Sequence, residues 1–408
     1  MKKGTRVLLA AVLAFLAPAA APARAQEPGV TWDHRPTIVL GEGSRIDLHA
    51  RAQSDYLVRD ESDSDVASLT FEDRLSVAHK RVSVEGVLFD RVSFEVEGEV
   101  GDEQPWRDVY ADVKVNRKLR IRAGHFKVPF SLEQLTRGTD LDFIARPAAV
   151  SDLSPSRDIG VMLHGRLADK AVKYEGGVFE VDAAARLWKA DATRTYAGRV
   201  TIAPLADGKS RGSDALEFSA ALLRSDLPEG RSSLNGHLVM GDTFFHKMFV
   251  NGIRTRMGAS VAWNARRASV HGEWLRALDS RRGQAIDGGD LSDLVSTGGY
   301  AAGVWHLLAR DGHRWGHAPL RGIDVTGRFD RLTYGSTATV DDAFLNPRAD
   351  HVAPIGKDTW TAGVNWHVNR WVKIQANAVR EQIVDPLALL PLSTAPLWST
   401  VVRFQVAM

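Results

Sequence analysis

Apolar and charged residues alternate with a period of two along most of this sequence. Residues 45–56, RIDLHARAQSDY, and residues 91–100, RVSFEVEGEV, each place apolar side chains on one face of a strand and charged side chains on the other. The pattern recurs in IGVMLHGRL, YAGRVTIA, IRTRMGASVAW, GIDVTGRFDRL, WVKIQANAV and TVVRFQVAM. Since the side chains of a strand point alternately to opposite faces, this period predicts an all-β protein whose sheet has one apolar and one polar face.

A soluble β-sandwich and a transmembrane barrel both show such alternation, so strand length and number must decide between them. The candidate strands are about 9–11 residues long and number about sixteen, as in an outer-membrane barrel. Very short connections, such as 89–91 and 115–118, alternate with longer ones that are rich in Asp, Gly and Ser: 57–70, 180–193, 279–296 and 341–357. The chain has no cysteine for a disulfide, and a closed barrel needs none because its strands satisfy each other's hydrogen bonds. We therefore predict a transmembrane antiparallel β-barrel.

The N-terminus has the pattern of a secretory signal peptide. Residues 1–25 begin with three basic residues, continue with an apolar run and end in small residues. We predict export and cleavage after Ala25, an N-terminal segment at 26–37 and a single barrel domain at 38–408. Removing the signal leaves 48 Lys and Arg against 50 Asp and Glu. This balance gives no reason to expect nucleic acid as a partner.

Aromatic residues lie near the ends of many predicted strands. In outer-membrane barrels such residues form girdles where the lipid meets water, so the pattern predicts outer-membrane lipid as the surroundings. The residues concerned are Tyr56, Trp106, Tyr110, Trp188, Tyr196, Trp263, Trp274, Tyr300, Trp305, Tyr334, Trp360, Trp366, Trp371 and Trp398.

The segment at 121–137, IRAGHFKVPFSLEQLTR, interrupts the alternation. We predict that its strand places Arg120 and Arg122 in the lumen and Phe126 on the apolar face. Proline cannot donate to a β-ladder, so Pro129 predicts that the strand ends at Lys127. Strand pairing is expected to resume only at Ile159, and a connection of this length is usually functional.

The same segment carries a resemblance to a known family. AGHFKVPFSLEQLT and the following SPSRDIGVMLHG resemble the phosphate-selective porin O and P family of Gram-negative outer membranes. The segments at 81–100, 196–205, 322–332 and 359–379 and the closing TVVRFQVAM are also similar to it. The resemblance implies a homotrimer of sixteen-stranded barrels, each with a third loop, at about 127–156, that folds inward as a constriction. It also implies passive diffusion of small hydrophilic anions, such as phosphate or polyphosphate.

Family members commonly end in an aromatic residue that the barrel-assembly machinery reads from the C-terminal strand. This chain ends in Met408, with Phe404 and Val406 on the same face. The resemblance still implies the assembly machinery as a partner of this strand.

Cationic side chains are the candidate anion-binding residues. In or beside the long connection these are Lys127, Arg137, Arg146 and Arg157. On the polar faces of the predicted strands they are Arg120, Arg122, Arg199, Arg254, Arg256, Arg328, Lys373 and Arg403. Cations at a narrow point would attract anions, and arginine suits phosphate through paired hydrogen bonds. Carboxylates share these faces, so a general unselective or weakly cation-selective porin is the alternative.

Other chemistries find little support in the sequence. There is no G-x-S-x-G, HExxH or P-loop motif, so we predict a channel without enzymatic activity or cofactor. His306, His313 and His317 are expected to be solvated loop residues and not metal ligands, because HRWGHAP is a loop and not a helix. An outer-membrane hydrolase and a secreted soluble β-protein are the alternatives from other classes.

Overall fold

The computed structural model describes most of the chain between Pro28 and Met408. The described residues are 28–32, 35–59, 74–103, 105–180, 193–205, 215–230, 233–234, 236–239, 248–265, 267–309, 321–337, 350, 352, 354–385 and 395–408. The signal peptide predicted at 1–25, His313, His317 and Trp188 lie outside them.

The structure is dominated by β-strands. In chain order they are β1 (Gly29–Trp32), β2 (Pro36–Gly41), β3 (Ser44–Arg59), β4 (Arg74–Leu88), β5 (Val92–Glu99), β6 (Trp106–Lys114), β7 (Arg120–Lys127), β8 (Arg157–Leu167), β9 (Val172–Phe179), β10 (Thr195–Ile202), β11 (Ala215–Leu227), β12 (Ser233–Leu234), β13 (Met248–Phe249), β14 (Gly252–Asn264), β15 (Ala268–Arg281), β16 (Leu291–Ala309), β17 (Gly322–Ser336), β18 (Ile355–His367), β19 (Val372–Val384) and β20 (Leu397–Ala407). Helices α1 (Leu132–Leu135) and α2 (Ala148–Leu153) lie between β7 and β8, and a 3-10 turn spans Ala168–Lys170. In the described part of the chain, no helix is long and apolar enough to cross a membrane.

Sixteen of the described strands close into one barrel. From β3 to β11 and from β14 to β20, each strand pairs antiparallel with the next. The barrel closes where β20 pairs with β3, from Ser399 opposite Arg59 to Ala407 opposite Arg51. The predicted fold class and strand number are therefore confirmed. Closure leaves no unpaired sheet edge, which is the condition for a sheet to lie in lipid.

The two faces of the barrel are inverted relative to a soluble protein. On β11, Leu222 is 56% exposed on the outer surface, whereas the polar Ser225 is buried inside. On β17, Val325 is exposed outside, while Asp324 and Arg328 are buried inside. An outward apolar face around a polar interior is the arrangement of a barrel that spans a membrane.

The first described strands and the C-terminus meet at one rim of the barrel. Strands β1 and β2 form a hairpin, and β2 continues onto β3 with Thr37 opposite Asp47. The predicted boundary at residue 38 therefore falls within β2. At the other end of the chain, the Met408 amide donates to the Ala50 carbonyl of β3 at 3.0 Å.

The predicted aromatic girdle is only partly present. Ten of its described members are exposed on the outer surface: Tyr56, Trp106, Tyr196, Trp263, Trp274, Trp305, Trp360, Trp366, Trp371 and Trp398. Tyr110, Tyr300 and Tyr334 instead face the interior, where each phenol donates to a carboxylate. A buried tyrosine needs a hydrogen-bond partner, and the barrel interior supplies one.

Two further predictions about side-chain direction were wrong. Phe126 lies inside the barrel, fully buried, with its ring 5.5 Å from that of Phe179. It keeps the same face as Arg122 because β7 pairs with β8 in unbroken register through Gly124. His306 is not a solvated loop residue, because it lies buried in β16 with its Nδ1 2.8 Å from Asp324 Oδ1.

Candidate functional site

A long connection between β7 and β8 folds into the barrel. The strand ends at Lys127, as predicted, and β8 begins at Arg157, two residues before the expected Ile159. The Val128 amide donates to the Ser156 carbonyl at 3.0 Å, which joins the two ends. Residues 128–156, called the constriction loop below, contain helices α1 and α2.

Apolar packing fixes one side of the constriction loop to the wall. Its buried apolar residues belong to the same core cluster as inward-facing residues of β15–β17. The loop contributes Val128, Phe130, Phe143, Ala148, Ala149, Val150 and Leu153, and the wall contributes Leu275, Ala277, Leu294, Tyr300, Ala302, Leu332 and Tyr334. This part of the interior is therefore a packed core and not a water-filled space.

Polar side chains of the wall bind the backbone of the same loop. The Ile144 amide donates to Asn377 Oδ1 at 2.8 Å, and Lys373 Nζ donates to the Thr139 carbonyl at 2.7 Å. The wall residues that make such bonds are Arg199, Glu273, Arg328, Asp330, Asn365, Lys373, Gln375, Asn377 and Gln405. Because a buried backbone group without a partner is costly, these bonds let a loop lie inside a barrel.

A second segment also enters the interior. In residues 236–239, between β11 and β14, Leu238 is buried in the core cluster and the His237 carbonyl accepts from Lys357 Nζ at 2.6 Å. His237 also lies 3.3 Å from Asp152 of α2. The sequence offered no signal for this contact, because His237 and Lys357 are 120 positions apart and no local pattern connects them.

The open space lies along the opposite wall. A cavity of about 760 Å³ is lined by β3–β9, the constriction loop, the β18–β19 turn and β20. Among the described residues, β10–β17 contribute nothing to its lining. The channel is therefore displaced to one side of the barrel.

Cations outnumber carboxylates in the lining of this cavity. It includes nine arginines and three lysines against four glutamates and two aspartates. The cations are Arg35, Arg51, Arg81, Arg122, Lys127, Arg137, Arg146, Arg157, Lys173, Arg370, Lys373 and Arg403, and the carboxylates are Glu85, Glu95, Glu97, Asp108, Asp140 and Glu175. In a narrow passage of low dielectric, such an excess produces a positive potential.

Four of the six lining carboxylates form ion pairs: Glu85, Glu97 and Asp108 with arginines, and Glu175 with Lys173. Arg157 donates to Asp108 at 2.9 and 2.5 Å and lies 3.6 Å from Glu97. Arg137 lies 3.2 Å from Glu85. These pairs reduce the negative charge that the lining offers to a passing ion.

Arg51, Lys127, Arg146 and Lys373 line the cavity and have no ion pair with a carboxylate among the described residues. Lys127 Nζ donates to the carbonyls of Leu135 and Thr136 at 3.2 and 2.9 Å. Arg51 lies against Gly138 of the constriction loop, where an added Cβ would come within 3.2 Å of its Nη1. We call Arg51, Lys127 and Arg146 the cation cluster. Lys373 is left out of it, because the negative charge of Asp142 lies nearby.

Arg146 extends the cation cluster toward neighbouring arginines. It donates to the carbonyls of Glu133 and Thr136, each at 3.2 Å. Burial lowers the pKa of Arg146, and the positive charge of Arg157 acts in the same direction. Carbonyl partners carry no net charge, so these hydrogen bonds do not neutralise the cations of the cluster.

The four predicted constriction residues, Lys127, Arg137, Arg146 and Arg157, all line the cavity. Of the eight predicted lumen cations, Arg122, Lys373 and Arg403 line it as well. The others face inward but do not line the cavity. Arg120 pairs with Asp112 and Arg254 with Asp279 in the wall, and Arg256 lies on the same face as Arg254. Arg199 and Arg328 donate to the Phe130 and Ala145 carbonyls of the constriction loop.

Arg51 is a site residue that was not predicted from the sequence. It lies on the predicted polar face of β3, but alternation alone does not distinguish it from its charged neighbours. Its contact with the constriction loop joins positions 51 and 138, which no local pattern connects.

The described residues offer no evident metal site. They contain no group of three or more His, Asp or Glu arranged to hold a metal ion. Asp324 accepts from His306 and His367 at 2.8 and 3.0 Å, which accounts for both of its oxygens.

The constriction loop contains a buried aspartate whose pKa is shifted by its surroundings. Burial, followed by the negative charge of Glu133, raises the pKa of Asp142 to about 8. In the unfolded chain the carboxyl of an aspartate ionises near pH 4, whereas in the folded loop it stays neutral up to about pH 8. Its contribution to stability is therefore fully present below about pH 4 and is lost as the pH rises through about 8. The other charges nearby are Lys373, Asp324 and Asp140.

We expect anion preference to weaken by up to about twofold between about pH 7 and pH 9, because ionised Asp142 adds a negative charge behind the loop. The permeability ratio of chloride to potassium, measured across this range, should differ between the wild type and Asp142→Asn. Identical pH profiles for the two proteins would contradict the assignment.

Comparison with known proteins agrees with this architecture. The model of the family "Phosphate-selective porin O and P" matches residues 46–383. No significant match was found among curated protein sequences. Among solved structures, the anion-selective porin from Comamonas acidovorans is similar, with 14% identity, a TM-score of 0.55, and coverage of 90% of this chain and 100% of that one.

Two other solved structures have the same fold. The outer membrane channel DcaP of Acinetobacter baumannii has 11% identity, a TM-score of 0.56, and coverage of 90% of this chain and 98% of that one. The in-vitro folded, trimeric form of OmpT from Vibrio cholerae has 10% identity, the same TM-score, and coverage of 90% and 100%. Identities this low establish the fold alone, whereas the family model spans most of the sequence. The chain therefore belongs to the phosphate-selective porin O and P family and is an outer-membrane channel of a Gram-negative bacterium.

Proposed function

We propose that this channel passes small hydrophilic anions by passive diffusion and that the cation cluster sets its preference. The observation that carries the proposal is the charge of the narrowed passage. Lys127 and Arg146 donate to uncharged carbonyls, whereas four of the six lining carboxylates are held in ion pairs. An anion entering the passage exchanges part of its hydration for these donors, and no covalent step or energy source is involved.

Phosphate and polyphosphate are the proposed solutes. Arginine offers two parallel donors that match the oxygens of phosphate, and lysine adds a point charge. The cation cluster supplies two arginines and one lysine without a carboxylate partner among the described residues. The family name and the anion-selective porin from Comamonas acidovorans support the same solute class.

The reversal potential of the purified protein in a planar bilayer under a KCl gradient tests this proposal. We expect a preference for chloride over potassium of about tenfold, and a chloride current that added phosphate reduces. A current without anion preference would overturn the proposed selectivity and leave a general porin. A current with anion preference that phosphate does not affect would overturn the proposed solute.

We also propose that the channel is a homotrimer. The outer surface of the barrel is apolar and closed, and one structure with the same fold is described as a trimer. Chemical crosslinking in native outer membranes is expected to give a ladder that ends at three copies. A ladder that ends at one copy would overturn the trimer.

A further inference from the structure

We propose that Glu273 on β15 determines the ion preference of the channel as a positioning residue. It fixes helix α1, and the carbonyl end of that helix holds Lys127 and Arg146 at the passage. The inference rests on the proposed function and names a residue that does not itself line the cavity.

Glu273 binds the start of helix α1 with both carboxylate oxygens. Its Oε1 accepts from the Ser131 hydroxyl at 3.0 Å and from the Glu133 amide at 2.7 Å. Its Oε2 accepts from the Leu132 amide at 2.8 Å. The Tyr300 phenol donates to Oε1 at 3.1 Å. The first amides of a helix have no partner within the helix, so this wall carboxylate fixes where α1 begins.

The other end of the same helix holds the cations. The carbonyls of Leu135 and Thr136 accept from Lys127, and those of Glu133 and Thr136 accept from Arg146. A helix of four residues is about 6 Å long, so a shift at its first amide is transmitted to its last carbonyl. Glu273 therefore acts on the two cations through one turn of helix.

Neutralising Glu273 separates this role from a simple effect of charge. Glutamine has nearly the same shape, but one of its two acceptors becomes an NH₂ group that must face an N–H donor of the loop. Loss of one negative charge would by itself raise the preference for anions. Displacement of Lys127 and Arg146 would lower it, so the two effects have opposite signs.

The test is the ratio of chloride to potassium permeability in planar bilayers. We expect Glu273→Gln to lower this ratio about threefold relative to the wild type. The matched control is Glu217→Gln, which removes the same charge from β11. Among the described residues Glu217 makes no hydrogen bond to the constriction loop, so its variant should equal or exceed the wild type. A ratio for Glu273→Gln that equals or exceeds that of Glu217→Gln would overturn the positioning role.

A second variant keeps the test valid if Glu273→Gln does not fold. Ser131→Ala removes one donor to Glu273 and the cap of the Gln134 amide, and it changes no charge. We expect a smaller decrease of the permeability ratio, in the same direction. A wild-type ratio for this variant, with a folded barrel on unheated gels, would count against the proposal.

Arg146→Met distinguishes failure of this inference from failure of the proposed function. If Arg146→Met and the wild type have the same ratio, the cation cluster does not set selectivity and the proposed function fails. If Arg146→Met lowers the ratio but Glu273→Gln and Ser131→Ala do not, the cluster is confirmed and only the role of Glu273 is wrong.

Discussion

Replacing both Lys127 and Arg146 with methionine is expected to lower the ratio of chloride to potassium permeability by about tenfold or more. The two cations line the cavity and donate to carbonyls of the constriction loop, so their removal leaves no carboxylate without its partner. Methionine keeps much of the length of each side chain, so the passage should keep its width. Reversal potentials in a KCl gradient measure the effect directly.

Arg370→Met is the control for this double variant. Arg370 also lines the cavity, but it lies in the turn between β18 and β19 beside the Trp371 ring and not on the constriction loop. Its loss should change the permeability ratio by less than about twofold. If Arg370→Met has the same effect as the double variant, selectivity depends on the total charge of the lumen and not on the cation cluster.

Leu222→Arg is expected to destabilise the folded barrel by about 2–4 kcal/mol. Leu222 is the eighth of the thirteen residues of β11 and is 56% exposed on the outer surface, so an arginine there would face the lipid near mid-depth. Refolding from urea into lipid vesicles, followed by gel mobility without heating, measures the free energy of unfolding.

Leu222→Ala serves as the control because it removes contact area without adding charge. Its cost should be much smaller, since lipid fills the space that a buried site would leave empty. If arginine at position 222 costs no more than alanine does, β11 does not face the lipid there.

Most of the barrel could be predicted from local sequence because alternation is a local property. A strand that lies between lipid and a polar lumen must alternate, whatever its neighbours are. The end of β7 at Lys127 was predictable for the same reason, since Pro129 acts on its own strand.

The filled half of the barrel could not be predicted in this way. Phe126, Tyr300 and Tyr334 look like lipid-facing or interfacial residues, but they face inward toward a packed core. His306 looks like a loop histidine until its partner Asp324 is known. Alternation distinguishes apolar from polar faces only where the interior is water, and the constriction loop replaces that water with side chains.

The cation cluster was predictable in part. Lys127 and Arg146 stand in or beside a long connection, which marks them as candidates. Arg51 does not lie near that connection in the sequence. Its place in the cluster depends on a contact with Gly138, 87 positions later in the chain. A cation lacks a carboxylate partner only if no acidic side chain lies beside it on a neighbouring strand. The local sequence around the cation does not contain that information.

The wall contacts of the constriction loop also determine when the selective passage can form during folding. Ser131 and its partner Glu273 are 142 positions apart, and Ile144 and Asn377 are 233 apart. The loop thus precedes in the sequence the strands that hold it, by more than a hundred residues. Contacts between residues so far apart in sequence form slowly. The ion filter is therefore expected to assemble last, together with the pairing of β20 and β3, so that a partly assembled barrel has no selective pore.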